Sequence, residues 1–139
     1  MAISVLTDAH VIINSVVLSD HSNQVTVNDS RNPVDITAFG ATNTTVTKGL
    51  GDGSISITMF QDFAAAKTHA TLQPLIGSST AVAIEVRPTS GARSATNPAA
   101  LMQGLLMNYN MLSGSVGEAS TITAEFQNGS QTGITYPTS

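Results

Sequence analysis

Three histidines, His10, His21 and His69, are the side chains best suited to acid–base chemistry near neutral pH in this sequence. None has a second ligand or a nucleophile at a spacing typical of a metal site or a catalytic triad. The serine-nucleophile pattern Gly-x-Ser-x-Gly does not occur, and GSVG at 114–117 is only superficially similar to it. Cysteine is absent, which excludes disulfides, thiolate metal sites and a thiol nucleophile. We therefore interpret the histidines as structural or surface residues.

A glycine-rich stretch at residues 48–54 invites comparison with a phosphate-binding loop. Such a loop follows a strand, opens a helix and ends in Gly-Lys-Ser/Thr, whereas this stretch leads into a strand pattern. The nine acidic residues are scattered, and no close pair suited to glycoside hydrolysis is identifiable. The sequence thus predicts no enzyme, no cofactor and no metal site.

The composition combines few charges with many short polar side chains. Charged residues make up 10% of the 139 residues, aromatic residues 4%, and the net charge is −4. The five basic residues are spread singly, so no basic stripe is available for phosphate binding. A weakly charged protein that stays soluble often covers its surface with further copies of itself, so this composition favours an assembly subunit. We expect no signal peptide and no membrane span.

The elements that position these side chains are clearest over residues 54–88, which read as strand, helix and strand. Apolar and polar residues alternate over 54–60 and 81–87, as in half-buried strands. The residues predicted to face a core are Ile55, Ile57, Met59, Val82, Ile84 and Val86. Between the strands we expect one helix over 62–73, beginning near Asp62, because helix formers follow this capping residue. Its predicted buried stripe is Ala65, His69, Leu72 and Ile76.

The first third of the chain is also strand-like. Branched residues over 10–18 predict a strand, with a tight turn or bulge at Asn14-Ser15. Alternating runs follow over 24–28 and 34–38, and the apolar phase flips across 31–33. We expect a bulge or short break there that returns the same face to the core. Residues 40–53 lack periodicity and predict a long loop that binds something or is ordered by a partner.

The last third adds two strands and a tail. Residues 99–112 are interpreted as a strand, with helix as the alternative through residue 107. Residues 120–127 alternate cleanly, with Ile122, Ala124 and Phe126 predicted inward. From about residue 128 we expect an extended or loose tail. Together these elements predict a mainly β fold: a single domain over 1–139, built as a β-sandwich or barrel with one flanking α-helix.

Several short motifs, in this order and spacing, resemble the major tail tube proteins of long-tailed, non-contractile bacteriophages. They are DITAFG at 35–40, GL at 49–50 before SISI at 54–57, QDFAA at 61–65, LQPLIG at 72–77, VRP at 86–88, SATNP at 94–98 and GSVGE at 114–118. Each motif alone is short, and the likeness extends over nearly the whole chain.

The resemblance implies a structural virion protein of the tail-tube fold, found in the virion tail and assembled in the cytoplasm of the bacterial host. It implies homo-hexameric rings stacked into a helical tube through which double-stranded DNA passes transiently during ejection. The implied partners are a tape-measure protein and tail terminator or tip proteins, with no membrane involved. In that family an inner sheet from each subunit joins its neighbours into one continuous β-barrel around the channel.

Two sets of residues take roles from this resemblance. The polar phase of the strands that would form the inner sheet predicts these lumen-facing residues: Asp35, Thr37, Ser56, Thr58, Thr123 and Glu125. The long loop reaches the adjacent ring in that family, which predicts these inter-ring residues: Thr42, Asn43, Thr44, Thr45, Val46, Thr47, Lys48 and Leu50.

Two alternatives stay open at this point. One is a neck or tail-terminator protein, which would form a single ring and not polymerise. The other is a small carbohydrate-binding β-sandwich. Its binding platform would need exposed aromatic residues, and the sequence has no Trp and only Tyr109 and Tyr136 as tyrosines, which argues against it.

Overall fold

A computed structural model of the chain describes Ile3 and residues 5–139. Within this part, seven strands form one antiparallel sheet in the order β2-β1-β5-β6-β7-β4-β3, and a single α-helix lies between β4 and β5. The mainly β architecture with one helix is thereby confirmed. The elements are β1 (His10–Ile13), β2 (Val16–Val17), β3 (Ser22–Asp35), β4 (Val46–Phe60), α1 (Thr68–Ile76), β5 (Val82–Arg87), β6 (Ala100–Tyr109) and β7 (Thr121–Asn128).

One face of this sheet forms the core, because period-two alternation places every second side chain on the same side. All the predicted inward residues of β4, β5 and β7 belong to this core or pack against it, and the central ones are fully buried. Val25 and Val27 of β3 line the same apolar cavity as Val86 of β5 and Ala100 of β6. These strands are far apart in the sheet order, so the sheet rolls over and its two halves enclose the core.

The hairpin of β1 and β2 turns at Asn14 and Ser15, where the sequence predicted a tight turn or bulge. Both residues have positive φ, 49° and 68°. The pairing of Ile13 with Val16 makes this a two-residue turn of the kind that requires positive φ at both central positions. The predicted turn is therefore confirmed.

The helix begins six residues later than predicted, at Thr68. Asp62 Oδ1 accepts the Ala64 N–H at 2.9 Å, and Ala66 has a positive φ of 60°, so residues 62–67 form an irregular turn. Thr68 then anchors the helix start through its hydroxyl, which donates to the Phe60 carbonyl at 2.9 Å. The buried face consists of Thr68, Thr71, Leu72 and Leu75. The predicted stripe was therefore wrong except at Leu72, because Ala65 precedes the helix and Ile76 is exposed, while His69 is only partly buried.

The predicted loop at 40–53 is shorter in the structure, because residues 46–53 belong to β4. Asp35 pairs with Val46, and the Ile36 N–H donates to the Thr45 carbonyl at 2.9 Å, so the loop spans 36–45. A register shift occurs between Arg31 and Pro33, as predicted, but the extra residue is on β4, where Gly49 and Leu50 stand opposite Asn32.

This bulge does not return the same face to the core, which corrects the prediction. Val34 and Ile36 stay about half exposed, because the hairpin has already left the rest of the sheet at this point. A glycine is required at position 49: a Cβ there would lie 2.8 Å from both the Asn32 carbonyl oxygen and Val34 Cγ2.

Residues 100–109 form strand β6, which confirms the strand interpretation over the helical alternative. The tail after β7 is extended, but it is docked rather than loose. Leu101 and Thr135 exchange backbone hydrogen bonds of 2.9 Å, and the Ala99 N–H donates to the Pro137 carbonyl at 3.0 Å. Ile134 is buried and packs against Gly53 of β4, where an added Cβ would lie 2.9 Å from Ile134 Cδ1. No helix in the described part of the chain is long and apolar enough to cross a membrane.

Candidate assembly surfaces

The outward face of β3, β4 and β7 is a surface of hydroxyl and amide groups, here called the hydroxyl face. Ser56 stands opposite Glu125 and Thr58 opposite Thr123, with the two threonine oxygens 3.4 Å apart. On the neighbouring strand, Gln24 pairs with Thr58 and Thr26 with Ser56. The full set is Gln24, Thr26, Asn28, Ser54, Ser56, Thr58, Thr121, Thr123, Glu125 and Gln127.

Glu125 is the only charged residue in that set, and it is exposed. The sheet on the other side of β6 is different, because Glu85 on β5 forms ion pairs with two arginines. Arg93 donates two hydrogen bonds to its carboxylate, and Arg87 Nε lies 2.8 Å from Oε2 without hydrogen-bond alignment. The hydrogen bonds from Arg93 are the main reason why the pKa of Glu85 is lowered. The hydroxyl face is thus a nearly neutral region beside a charged one.

Of the six predicted lumen-facing residues, the structure brings four together on the hydroxyl face: Ser56, Thr58, Thr123 and Glu125. Asp35 and Thr37 lie elsewhere, at the far end of the β3–β4 hairpin. Asp35 Oδ1 accepts the Thr37 N–H at 2.9 Å, a hydrogen bond that lowers the pKa of Asp35. The Thr37 hydroxyl in turn accepts the Thr45 N–H at 2.7 Å. These two residues close the loop.

The part of the β3–β4 hairpin over residues 30–52 projects beyond the sheet and is called the arm. The last pairing of β4 with β7 is Ser54 with Gln127, so among the described residues β3 and β4 pair only with each other in the arm. All the predicted inter-ring residues lie here, and every one is exposed. Residues 42–45 are in the loop, and Val46, Thr47, Lys48 and Leu50 are at the start of β4. Exposed apolar side chains accompany them: Val34, Ile36, Phe39, Val46 and Leu50.

The base of the arm is held by the C-terminal tail. Tyr136 donates its hydroxyl proton to Asp29 Oδ2 at 2.8 Å, and Arg31 donates to the other oxygen of the same carboxylate at 2.8 Å. The Tyr136 hydrogen bond is the main reason why the pKa of Asp29 is lowered. Sequence reasoning missed this contact, because the tail and the arm are about a hundred residues apart and nothing local signals their meeting.

A second group of exposed apolar side chains lies at the opposite end of the sheet and is called the distal cluster: Phe60, Phe63, Met111, Leu112 and Val116. Two segments supply it, and hydrogen bonds hold them together. The Gln61 N–H donates to the Ser120 carbonyl at 2.9 Å, and the Gln61 side chain donates to Tyr109 Oη at 3.0 Å and to the Met111 carbonyl. The signal available in the sequence was the pair of apolar residues Met111 and Leu112 at the end of the strand predicted over 99–112.

The three histidines occupy separate structural positions. His69 Nδ1 lies 2.7 Å from Tyr109 Oη, and its ring packs on Phe63. His10 Nδ1 lies 3.4 Å from Ser19 Oγ, and that hydroxyl oxygen accepts the Val11 N–H at 2.8 Å. Within residue 3 and residues 5–139, we find no serine–histidine–carboxylate series and no group of three metal-ligating side chains.

His21 links two parts of the chain through carboxylates. Its Nδ1 lies 2.9 Å from Asp20 Oδ1 and its Nε2 lies 2.8 Å from Asp62 Oδ2. Only the imidazolium can donate from both ring nitrogens, so the hydrogen bond to Asp20 and then that to Asp62 raise the pKa of His21. These two contacts of His21 link the turn before β3 to the irregular turn before α1.

The outer edge of β3 is free. It is the terminal strand of the sheet and has 14 residues, and in the described part of the chain only β4 pairs with it. A long unpaired strand edge exposes a row of backbone N–H and C=O groups that can pair with another chain.

Comparison with known proteins shows where this fold occurs. No protein-family model matches the chain, and no curated protein has a detectably similar sequence. A chain in the virion of a native gene transfer agent particle is similar in structure, with a TM-score of 0.70 at 11% identity over 94% of this chain and 95% of that one. A chain in the tail of an empty gene transfer agent particle with C6 symmetry has a TM-score of 0.62 at 12% identity, covering 84% and 82%. At these identities the likeness shows a shared fold.

Proposed function

We propose that this chain is a structural subunit of a virion tail tube, in which six copies form a ring and the rings stack into a hollow tube that conducts DNA. The observation that carries the proposal is the hydroxyl face: a nearly neutral sheet face with one carboxylate. The shared fold supports it, because a similar chain occurs in a tail with C6 symmetry.

The chemistry of the hydroxyl face suits the wall of a DNA channel. Each Lys or Arg that contacts a phosphate adds affinity for DNA and would slow its passage. Ser56, Thr58 and Thr123 are short and uncharged, and Glu125 repels phosphate. We therefore place Ser56, Thr58, Thr123 and Glu125 on the lumen, whereas Asp35 and Thr37 belong to the arm.

Ring formation would use the free edge of β3. Pairing of this edge with a strand of the neighbouring subunit would continue the sheet around the channel, and closure of the ring would leave no edge exposed. The low content of charged residues fits a protein whose surface is largely covered by other copies of itself.

The arm would connect successive rings, since it carries all the predicted inter-ring residues beyond the body of the sheet. In this role the protein is not an enzyme and needs no cofactor. Its other contacts would be those of a tail component: a tape-measure protein inside the tube and terminator or tip proteins at its ends.

Negative-stain electron microscopy of the purified full chain, over a series of protein concentrations, tests the proposal. We expect long hollow tubes with six-fold symmetry in projections along the axis. Isolated rings that do not lengthen with concentration would indicate a neck or terminator protein instead. A monomer at the highest concentration, with no rings or tubes, would refute the assembly role.

A further inference from the structure

We infer that the distal cluster is the docking site for the arm of a second copy of this chain in the adjacent ring. The inference rests on the proposed stacking of rings and adds the surface that receives the arm. Both partners are exposed apolar surfaces on the same molecule: Phe39 and Leu50 on the arm, and Phe63, Leu112 and Val116 in the distal cluster. Soluble proteins rarely expose such groups of apolar side chains unless something covers them.

The two surfaces cannot cover each other within one copy. Both include residues of β4, with Leu50 near the start of the strand and Phe60 at its end. Ten residues of extended strand separate them by about 33 Å, at about 3.3 Å per residue. The hairpin extends away from the cluster, so the arm that reaches the cluster must belong to another molecule.

Charge supports the same pairing. In residue 3 and residues 5–139, four of the five basic side chains form ion pairs: Arg31 with Asp29, Lys67 with Asp20, and Arg87 and Arg93 with Glu85. Lys48, on the arm, forms none. Glu118 lies in the loop that supplies Met111, Leu112 and Val116, and its carboxylate also has no ion-pair partner there. An arm docked on the distal cluster would bring Lys48 towards Glu118.

An interface between two different surfaces at opposite ends of a molecule is heterologous, and unless a rotation closes it, it propagates without limit. Lateral contacts within a ring would stop at six copies, whereas contacts between arm and distal cluster would continue along the tube axis. The number of copies linked through these two surfaces therefore distinguishes stacking from ring closure.

The absence of cysteine from the sequence allows a direct crosslinking test. We would introduce Phe39→Cys and Val116→Cys in the same chain and treat the assembled protein with a flexible bifunctional maleimide. The expected result is a ladder of covalent multimers that extends beyond six copies. Each single variant should give nothing larger than a dimer, because one thiol per chain cannot propagate a chain of links.

The matched control is Phe39→Cys combined with Val17→Cys, because Val17 is also an exposed apolar residue but belongs to neither surface. A ladder that stops at six in the Phe39/Val116 variant, or one of equal length in the control, would overturn the docking site while leaving tube formation intact. Failure of the unmodified chain to form any tubes would refute the proposed function itself, and the docking site with it.

A charge exchange gives a second test. Lys48→Glu and Glu118→Lys should each shorten the tubes at a given protein concentration, and the double exchange should restore the length of the unmodified tubes. Restoration by the double variant is a readout that a purely structural defect would not produce. If the double variant is as short as the more damaged single variant, Lys48 and Glu118 do not meet across the interface.

Discussion

Reversing the charge at Glu125 is the most direct test of the channel proposal. The side chain is exposed, it forms no ion pair in the described part of the chain, and its cross-strand partner is the uncharged Ser56. Substitutions at such positions usually change the free energy of unfolding by no more than about 0.5 kcal/mol. Glu125→Lys should therefore leave folding and assembly intact and change only the charge of the channel wall.

The size of the effect follows from the ring. In the proposed hexamer each ring carries six copies of Glu125, so Glu125→Lys replaces six negative charges by six positive ones. Each lysine in contact with a DNA phosphate contributes about −0.9 to the slope of log affinity against log salt, so six contacts give about −5. Affinity for DNA should then fall about a thousandfold between 50 and 200 mM salt.

Nuclease protection measures this effect. Tubes are assembled in the presence of short duplex DNA, treated with nuclease at several salt concentrations, and the protected DNA is quantified. Tubes of the unmodified chain should protect little DNA, whereas Glu125→Lys tubes should protect DNA at low salt and release it as salt rises. Glu125→Gln should fall between them.

The control for net charge is Thr80→Lys, which changes the charge by the same amount as Glu125→Gln but lies on the exposed connection between α1 and β5. Thr80→Lys tubes that protect as much DNA as Glu125→Gln tubes would show that net charge, and not charge inside the channel, determines the protection. Glu125→Lys tubes that assemble normally and protect no DNA would refute the placement of Glu125 on the lumen.

Three further predictions concern the unassembled subunit, each measured by urea unfolding. The pKa of His21 is raised above its ordinary value of 6.5. The contribution of His21 to the free energy of unfolding is therefore fully present below pH 6.5 and is lost as the pH rises through the raised pKa. The free energy of unfolding of the unmodified chain should thus fall as the pH rises above 6.5, and His21→Gln should weaken this dependence. An unchanged dependence would exclude His21 as its source. Phe126→Ala should lower the free energy of unfolding by about 3–5 kcal/mol, because Phe126 is fully buried in the core. A decrease below about 1 kcal/mol would contradict the enclosed core. Ile134→Ala should lower the free energy of unfolding by about 2 kcal/mol or more, because Ile134 is 8% exposed and packs on Gly53. Thr138→Ala, at an exposed position of the same tail, is its neutral control. Equal stability of the two variants would show that the tail is not docked.

Local patterns were enough to predict most strands and their buried faces. The alternation at Ile55, Ile57 and Met59 specifies a half-buried strand wherever it pairs, because the side-chain period of a strand is fixed by backbone geometry. The turn at Asn14 and Ser15 was predictable from local sequence as well, because Asn and Ser are frequent in tight turns. The polar positions of the same alternating strands identified the four residues that share the hydroxyl face: Ser56, Thr58, Thr123 and Glu125.

Boundaries that depend on contacts between distant residues could not be predicted. The helix begins at Thr68 and not near Asp62, because the carboxylate of Asp62 is held by His21, a residue 41 positions away, and by the Ala64 N–H. The helical propensity of residues 62–67 is weak, and the tertiary contact of Asp62 with His21 outweighs it.

The sequence by itself determined that this protein has a mainly β fold with few charged and many hydroxyl-bearing residues, because alternation and composition are properties of the chain alone. Only the tertiary structure decided which surfaces those residues form. Pairing between β3 and β4 turned a predicted loop into a projecting arm, which moved Asp35 and Thr37 away from the hydroxyl face. The length of β4 placed the distal cluster at the end opposite the arm, and strand pairing brought together there residues that are far apart in sequence.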